Sequence, residues 1–254
     1  ARFWRDDRPE DVEWIVADNA SKDDSCDIAK AAGARVLELP TNRGFAVANN
    51  IGLASARGVY TAFVNPDVAV DWRSLGALAA EIDSTGGIVA PQLVDVDEPL
   101  RLQPNGRNLP FPKRKVANRD VLPSLFPVRD YAVRAQPGER RQVVWVMGAA
   151  VLGRTETFRR LSGWDERFFL YYEDHDLGLR ARLSGLTVTL LGDVRWAHSW
   201  ARATAGQPLS RAHWYELQSA WRFYRKYPWL LSEWATNRLS SEPIATLVES
   251  TRLR

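Results

Sequence analysis

The chain has little cysteine and no long hydrophobic segment. Cys26 is the only cysteine among 254 residues, which excludes an internal disulfide and a cysteine-based metal site and favours a reducing compartment. The longest apolar run, 143–153, is shorter than the roughly 20 residues that span a bilayer, so we interpret it as a buried core segment. No signal peptide is visible. These absences predict a cytoplasmic protein.

The charge balance gives little indication of a partner. The formal net charge is +3, with 45% apolar and 26% charged residues, values that are typical of a soluble globular protein. The pI of about 9.1 and the mixed aromatic and basic residues near the C-terminus are the only features that favour nucleic-acid binding, and we do not expect it. Six of the 11 tryptophans lie in the last quarter of the chain.

Strand and helix signals alternate over the first 90 residues. This alternation predicts βαβ units and an α/β fold, with a mainly parallel, Rossmann-like sheet and helices on both faces. The predicted strands are 14–17, 35–39, 59–64 and 88–90, and the predicted helices are 25–32, 45–56 and 72–84.

The pattern is lost between 99 and 137 and returns afterwards. Seven of the 14 prolines and a basic cluster at 113–115 lie in this stretch, which is either a surface loop or a lid over the acceptor side. Beyond it we predict a catalytic domain that continues to residue 205 and an aromatic, basic helical extension over 206–254. The predicted elements are strands 142–152 and 187–191 and helices 155–161, 173–184 and 211–227.

Two acidic residues follow predicted strands. In open α/β sheets ligands bind at the carboxyl ends of the strands, so Asp18 and Asp67 are candidate ligand-binding residues. Asn65-Pro66-Asp67 offers a carboxylate and an amide oxygen to a hard cation such as Mg²⁺. The same tripeptide is also ordinary turn chemistry, and on its own the turn is the better interpretation.

A second acidic cluster begins a predicted helix. Three carboxylates, Glu173, Asp174 and Asp176, lie within four residues and repel one another, although the helix macrodipole offsets part of that repulsion. They form either an elaborate N-terminal cap or a general base with a neighbouring carboxylate that orients it. We favour the base. A third candidate, His198, lies between Trp196 and Trp200, and it is a better ligand than core residue only if the fold brings it to Asp67.

These motifs in their order resemble family 2 glycosyltransferases of the GT-A fold, and among them bacterial rhamnosyltransferases. The resemblance extends over about 12–200, and each motif alone is weak. The matching segments are VADNASKD at 16–23, NRGFAVANN at 42–50, NPD at 65–67, GAA at 148–150, GWDE at 163–166, FFLYY at 168–172 and EDHD at 173–176.

The resemblance implies a role for each segment. Asp174 matches the usual catalytic base, with Glu173 and Asp176 as alternatives, and Asp67, Asn65 and His198 are the implied ligands of Mg²⁺ or Mn²⁺. A neutral Asn65 replaces a family carboxylate, which weakens that ligand. The implied donor-binding residues are Asp18, Asn19, Asn42, Arg43, Gly44, Phe45, Asn49, Asn65, Asp67 and Gly148.

The resemblance also implies a reaction and its partners. We expect a single displacement that inverts the anomeric centre, in which Asp174 removes the proton of the acceptor hydroxyl and the metal acts as a Lewis acid on the leaving diphosphate. The first choice of donor is dTDP-rhamnose. A glycan or a polyprenyl-linked glycan is the expected acceptor, in the synthesis of cell-envelope polysaccharide.

Several alternatives stay open at this point. The family begins with an apolar strand that residues 1–11 do not provide, and we expect the native chain to extend further. A nucleotidyltransferase and an inactive module that binds a sugar nucleotide or a glycan are the alternative functions.

The C-terminal helix carries Trp214, Leu217, Trp221 and Tyr224 on one face, which predicts either packing or peripheral contact with the inner face of the plasma membrane. A homo-oligomer is a further possibility.

Overall fold

The computed structural model describes residues 8–110, 131–199 and 211–231. The basic cluster at 113–115 and the tryptophans at 4, 200 and 234 lie outside the described residues. Of the predicted extension over 206–254, the parts 206–210 and 232–254 also lie outside them.

The N-terminal half follows the predicted alternation closely. Segments of two to eight residues form the strands, and helix α3 ends where Gly86 adopts a left-handed conformation, as expected for a helix C-terminus. The elements are β1 (Ile15–Asp18), α1 (Ser25–Ala31), β2 (Arg35–Glu38), α2 (Phe45–Ser55), β3 (Tyr60–Val64), β4 (Val68–Ala69), a 3₁₀ turn (Trp72–Ser74), α3 (Leu75–Thr85) and β5 (Ile88–Asp95).

The second half contains the shorter strands and the remaining helices. The segment 142–152, predicted to be one strand, is divided among three of them. The elements are β6 (Gly106–Arg107), β7 (Ala132–Val133), β8 (Arg140–Gln142), β9 (Trp145–Val146), β10 (Ala150–Arg154), α4 (Thr155–Arg160), α5 (Glu173–Leu183), β11 (Val188–His198), α6 (Arg211–Lys226) and a 3₁₀ turn (Pro228–Leu231).

The strands form one six-stranded sheet and two small ones. The large sheet has the order β3-β10-β5-β11-β4, with β8 also paired to β11. Strands β5 and β11 are parallel, whereas β10 lies antiparallel between β3 and β5. The α/β class is as predicted, but the pairing is more mixed than the alternation indicated. The reason is that β10, which follows the irregular stretch, is inserted between two strands of the N-terminal half.

Helices cover both faces of the large sheet. Successive residues of β5 point to opposite faces: Ile88 packs in a core with helices α2, α4 and α5, and Val89 packs in a second core with helix α3. A third core joins α6 to α5 through Phe223, Tyr227 and Leu230. The layered core predicted from the sequence is therefore present, and α6 packs directly on the helix that begins with the acidic cluster.

Strand β11 is longer than predicted, and its extra length positions a histidine. Its pairing with β5 shifts register between Leu191 and Arg195, and the strand then continues to His198. Gly192 lies in this irregularity, where an added Cβ would come within 1.8 Å of the Gln136 carbonyl oxygen. The predicted strand ends at Leu191, directly before Gly192 and Asp193. These two residues instead mark a bulge at which another backbone passes close by.

Candidate active site

Gly148 and Ala149, between β9 and β10, contact both the predicted base Asp174 and the turn 65–67 that carries the predicted metal ligands. The N–H of Gly148 donates to Asp174 Oδ2 at 3.3 Å, and the carbonyl oxygen of Ala149 accepts from the N–H of Asn65 at 2.9 Å. The carboxylate at the start of α5 and the turn after β3 therefore lie on either side of this short segment.

The turn after β3 brings Asp67 to His198. Strand β4 pairs with the end of β11, with Val68 opposite His198, and the Asp67 carbonyl oxygen accepts from the N–H of Ser199. As a result, His198 Nε2 lies 3.4 Å from Asp67 Oδ2. From the sequence, a ligand role for His198 required that the fold bring it close to Asp67. The structure shows this proximity, and the ligand role stays a prediction.

The two side chains differ in exposure. His198 is buried, and its Nδ1 lies 2.8 Å from the side-chain oxygen of Gln103, whereas the Asp67 side chain is 40% exposed. Asn65 joins the site through its backbone, since its carbonyl oxygen accepts from Val68. The direct ligand role of the Asn65 side chain stays a prediction.

The chain adopts an unusual conformation just before the acidic cluster. Tyr171 and Tyr172 both have positive φ, 67° and 68°, a region that non-glycine residues occupy at a cost of about 1–3 kcal/mol each. Surrounding aromatic rings hold this conformation: Tyr172 is stacked on His175, with ring centroids 4.6 Å apart. The strained turn therefore fixes how α5 presents its first carboxylates.

The three carboxylates at the start of α5 have different surroundings. Asp174 Oδ1 accepts from the N–H of His175 at 2.8 Å and lies 2.7 Å from its Nδ1, and the Asp174 side chain is 17% exposed. Glu173 is buried, and its Oε2 has no hydrogen-bond partner among the described residues. Asp176 is fully buried.

The pKa values of Glu173 and Asp174 are displaced in opposite directions. Burial, followed by the charge of Asp174, raises the pKa of Glu173 well above its ordinary value. Burial would also raise the pKa of Asp174, but the charge and hydrogen bonds of His175 and the Gly148 N–H outweigh it and hold that pKa below its ordinary value. Paired carboxyl groups displaced in this way take different roles: Asp174 is the ionised member at neutral pH.

Asp176 belongs to a network that fastens α6 to α5. Its carboxylate accepts from Arg180 Nε at 2.7 Å, from Lys226 Nζ at 2.5 Å and from the Tyr227 hydroxyl at 2.8 Å. Lys226 also donates to Asp165 at 2.7 Å. Burial would raise the pKa of Asp165, but hydrogen bonds from Arg167 and then Lys226 hold it below its ordinary value. With three donors around it, Asp176 is occupied by structural contacts.

Four of the predicted donor-binding residues, Asn19, Asn42, Arg43 and Gly44, form one hydrogen-bonded cluster. Asn19 accepts from the N–H of Arg43 at 2.8 Å and donates to the Gly44 carbonyl at 3.0 Å. Asn42 accepts from the N–H of Gly44 at 3.0 Å. The structure thus brings the first two motifs together at the carboxyl end of β1.

The same cluster touches the segment before α5. Gly44 has φ of +88°, and an added Cβ would lie 2.5 Å from the Phe169 carbonyl oxygen. That oxygen accepts from the N–H of Phe45 at 2.8 Å, and Asn49 donates to the Phe45 carbonyl at 2.9 Å. Only glycine fits at residue 44, so the two motifs are in backbone contact.

Asp18 closes the turn that follows β1. It accepts from the N–H of Ser21 at 3.0 Å. Burial would raise the pKa of Asp18, but hydrogen bonds from Ser21 and Cys26 hold it below its ordinary value. Asp18 is therefore a carboxylate at the sheet edge where α/β proteins bind ligands, and its contact with a nucleoside stays a prediction.

Asp67 and His198 provide two of the ligands that a small divalent ion needs. Octahedral ligands with bonds of 2.0–2.1 Å lie about 3 Å apart, close to the 3.4 Å between Oδ2 and Nε2. Within 8–110, 131–199 and 211–231, no three His, Cys, Asp or Glu side chains are grouped as a metal site. These two side chains therefore fit a site that a ligand's oxygens would complete.

Several side chains that shape the site are not among the predicted site residues. Asn50 ties α2 to Trp164 through both atoms of its amide, and His175 and Gln103 each contact a candidate catalytic or metal-binding side chain. Asn50 and His175 lie inside the matching segments 42–50 and 173–176, where position in a motif gives no role by itself, and Gln103 lies in the proline-rich stretch, where no periodicity singles it out.

Comparison with known proteins identifies the family. The model of the family described as glycosyl transferase family 2 matches residues 4–143. The chain belongs to glycosyl transferase family 2. The N-acetylglucosaminyl-diphospho-decaprenol L-rhamnosyltransferase of Mycobacterium tuberculosis is 30% identical over 224 residues, which cover 80% of this chain and 71% of that protein. The predicted family and the predicted transferase class are confirmed.

Solved structures support the same fold for this family 2 glycosyltransferase. TarS of S. aureus has a TM-score of 0.53 at 20% identity, over 76% of this chain and 32% of that one. The mannosyltransferase PcManGT of Pyrobaculum calidifontis, solved with GDP-Man and Mn²⁺, has a TM-score of 0.53 at 19% identity, over 87% and 54%. The chain thus spans about a third and about half of these structures, and the GT-A fold is confirmed.

Proposed function

We propose that the protein is an inverting, metal-dependent glycosyltransferase that transfers a sugar from a nucleoside diphosphate to a hydroxyl group. The observation that carries this proposal is the placement of Asp174 and the Asp67–His198 pair on either side of Gly148 and Ala149. These contacts support the proposal that Asp174 acts as the base and that Asp67 and His198 bind the cation.

Asp174 is the carboxylate best suited to act as the base. A base must be ionised and must reach the proton that it removes. Burial and the charge of Asp174 raise the pKa of Glu173 and so disfavour its ionised form, and Asp176 is buried beneath three donors. Asp174 has a lowered pKa, and its Oδ2 accepts only the long bond from Gly148 among the described residues. That oxygen can therefore still accept a hydrogen bond from an acceptor hydroxyl.

Asp67 and His198 would hold Mg²⁺ or Mn²⁺ together with oxygens of the donor diphosphate. When bound, the ion offsets the charge that develops on the leaving diphosphate. The segment 42–45, which Asn19 anchors and which contacts the Phe169 backbone, would form the wall of the donor pocket. Asp18 would contact the nucleoside from the end of β1.

The first donor to test is dTDP-rhamnose, because the mycobacterial relative is named as an L-rhamnosyltransferase. Calorimetry with dTDP-rhamnose, UDP-galactose, UDP-glucose and GDP-mannose, with and without Mn²⁺, tests the proposal directly. We expect metal-dependent binding of one donor, lost in Asp67→Ala and retained in Asp174→Asn. No binding by any donor would contradict the proposal. Binding without turnover by the wild-type protein would favour an inactive binding module.

We further propose that the acceptor is lipid-linked and that helix α6 contacts the inner face of the plasma membrane. The exposed residues of α6 form one stripe, with arginine at each end of two tryptophans and a leucine. Tryptophan and arginine together suit the boundary of an anionic bilayer. No described helix is both long and apolar enough to cross a membrane. The five residues of the stripe are Arg211, Trp214, Leu217, Trp221 and Arg225.

Sedimentation with phosphatidylglycerol vesicles at low salt tests this contact. The side chains of Trp214, Leu217 and Trp221 are 61–68% exposed, so their replacement should leave the fold intact. We expect wild-type protein to sediment, and Trp214→Ala/Trp221→Ala to stay in the supernatant. The exposed Leu100→Ala, on a different part of the surface, is the matched control. Failure of the wild-type protein to sediment would contradict the membrane contact and leave the transferase reaction unaffected.

A further inference from the structure

Three buried amides lead from the middle of β5 to His198. Gln92 lies on β5, and Gln103 and Asn105 lie on the segment that runs beside it. These three side chains and His198 are at most 3% exposed. A buried amide is costly unless its hydrogen bonds are made, so the partners of each one indicate what holds it in place.

Backbone groups fix the orientation of the first two amides. Gln92 Oε1 accepts from the N–H of Ala135 at 2.8 Å, and its Nε2 donates to the Gln103 carbonyl at 2.7 Å. Asn105 Oδ1 accepts from the N–H of Leu93 at 3.1 Å. Because a backbone N–H can only donate and a backbone carbonyl can only accept, neither amide can be reversed.

The orientation of Gln103 follows by the same argument. Its Nε2 faces two backbone carbonyls, that of His198 at 2.8 Å and that of Val94 at 3.4 Å. Its Oε1 must then be the atom that lies 2.8 Å from His198 Nδ1. An amide oxygen can only accept, so Nδ1 of His198 carries a hydrogen and donates it.

The other ring nitrogen is thereby left as an acceptor. In the neutral ring Nε2 has a lone pair, and it faces Asp67 Oδ2 at 3.4 Å. Two acceptors that face each other at this distance repel, and an ion between them would remove that repulsion. The opposite tautomer would place a hydrogen on Nε2, where it would donate to Asp67 and occupy the place of the ion.

We propose that Gln103 is a positioning residue that fixes the tautomer and ring orientation of His198, so that Nε2 is presented to the divalent ion shared with Asp67. This inference rests on the proposed metal-dependent function. Groups that hold a histidine in this way typically contribute 10- to 100-fold to metal affinity. Gln92 and Asn105 act one step further away, because they hold the backbone that carries Gln103.

The tautomer can be measured without a metal. In protein labelled with ¹⁵N-histidine, at a pH where the ring is neutral, long-range proton–nitrogen spectra distinguish a protonated Nδ1 from a protonated Nε2. The chain has three histidines, and the His198→Gln variant assigns the signal. We expect the Nδ1–H tautomer for wild-type His198. The Nε2–H tautomer would overturn the proposal, whether or not the protein binds metal.

Two variants of Gln103 separate positioning from packing. Gln103→Glu retains an oxygen that can accept from Nδ1, and Gln103→Leu removes it, while both lose the amide donor to the His198 carbonyl. In titrations with Mn²⁺ and dTDP or UDP, followed by electron paramagnetic resonance, we expect Gln103→Leu to weaken Mn²⁺ binding about 10- to 100-fold, with a much smaller loss in Gln103→Glu. Thermal melting of both variants, and Gln103→Met as a second apolar variant, show whether the fold is retained.

The outcomes distinguish the two claims. Equal losses in Gln103→Glu and Gln103→Leu would overturn the positioning role, since the shared loss of the amide donor would then explain both. Wild-type protein that binds no Mn²⁺ with either nucleotide would overturn the proposed metal dependence, and with it the purpose assigned to Gln103. In that case the tautomer measurement would still report how the ring is held.

Discussion

Asp174 at the start of α5 lies within reach of three protein groups, two from His175 and one from Gly148. Asp67, in the turn after β3, is paired among the described residues with His198 alone, at 3.4 Å, and its side chain is 40% exposed. The first carboxylate is held by the protein itself. The second is held by the protein less closely, and under the proposal above a cation would lie between it and His198.

The difference separates positioning of a base from binding of a ligand. A base acts best when its geometry is set before the substrate arrives, and the strained turn at Tyr171 and Tyr172 and the network around Asp176 provide that support. A metal site shared with a donor needs open coordination positions. Each side of the site should therefore respond to mutation in its own way.

The largest expected effect is on the rate. We expect Asp174→Asn to lower kcat by about 10²- to 10⁴-fold, the usual contribution of a general base, with little change in the affinity for the nucleotide. Asp67→Asn, its counterpart on the other side of the site, should instead reduce the dependence of donor binding on Mn²⁺. Initial-rate kinetics and calorimetry on both variants check this division. An Asp174→Asn enzyme with near wild-type kcat would place the base elsewhere.

The next largest effect is on the free energy of unfolding and concerns the hydrogen-bonded network around Asp176, on the same helix as Asp174. Asp176→Asn removes the buried carboxylate that Arg180 and Lys226 share, and removal of one partner from a buried ion pair costs about 3–5 kcal/mol. We expect a decrease of that order in the free energy of unfolding, measured by urea denaturation. Asp83→Asn breaks an exposed ion pair with Arg154 and should cost at most about 1 kcal/mol. Similar losses in both variants would show that the network around Asp176 does not fasten α6 to α5.

Much of the fold could be predicted from local pattern. Helices α2 and α5 begin at the predicted residues, because apolar spacing and glycine stops act over a few residues. The course of β11 beyond Leu191 could not be predicted, since Gly192 and Asp193 look like the end of a strand. The insertion of β10 between β3 and β5 is a property of long-range pairing, which no local pattern encodes.

The candidate site was predicted in part for the same reason. Asp67, Asp174 and His198 belong to motifs, and the fold brings the first and the last together as the sequence required. Gln103 and His175 support these residues through contacts that depend on the tertiary fold. The hydrophobic spacing of α6 was also ambiguous: Trp214 and Trp221 share a face as predicted, but the face is exposed, and Phe223 and Tyr227 make the buried contact.

A smaller effect concerns the pH dependence of the rate. His175→Phe should preserve the stacking of residue 175 on Trp145 and remove the ring nitrogen that lies near Asp174. The pKa of Asp174 should then rise, because the charge and hydrogen bond of the ring now lower it. Since the base must be ionised, the acidic limb of kcat/KM should move to higher pH. An unchanged limb in the pH–rate profile would exclude His175 from this role.

The stability of this region should depend on pH in a related way. The lowered pKa of Asp174 contributes stability that is present above the pKa of the unfolded chain and is lost as the pH falls through the folded value. Glu173 behaves oppositely: its pKa is raised by burial, so the folded state binds more protons than the unfolded state and stability falls as the pH rises above about 4.5.

The smallest expected effect is the pH-dependent loss of stability caused by Glu173. Glu173→Gln cannot ionise, so its free energy of unfolding relative to wild type should increase between pH 4.5 and pH 7.5, while kcat changes little because Asp174 is the proposed base. Urea unfolding at the two pH values measures the difference. Glu166→Gln, an exposed glutamate, is the control and should show no such trend. An equal difference at both pH values would mean that Glu173 ionises like an exposed side chain, and the contrast with Asp174 that selects the base would be lost.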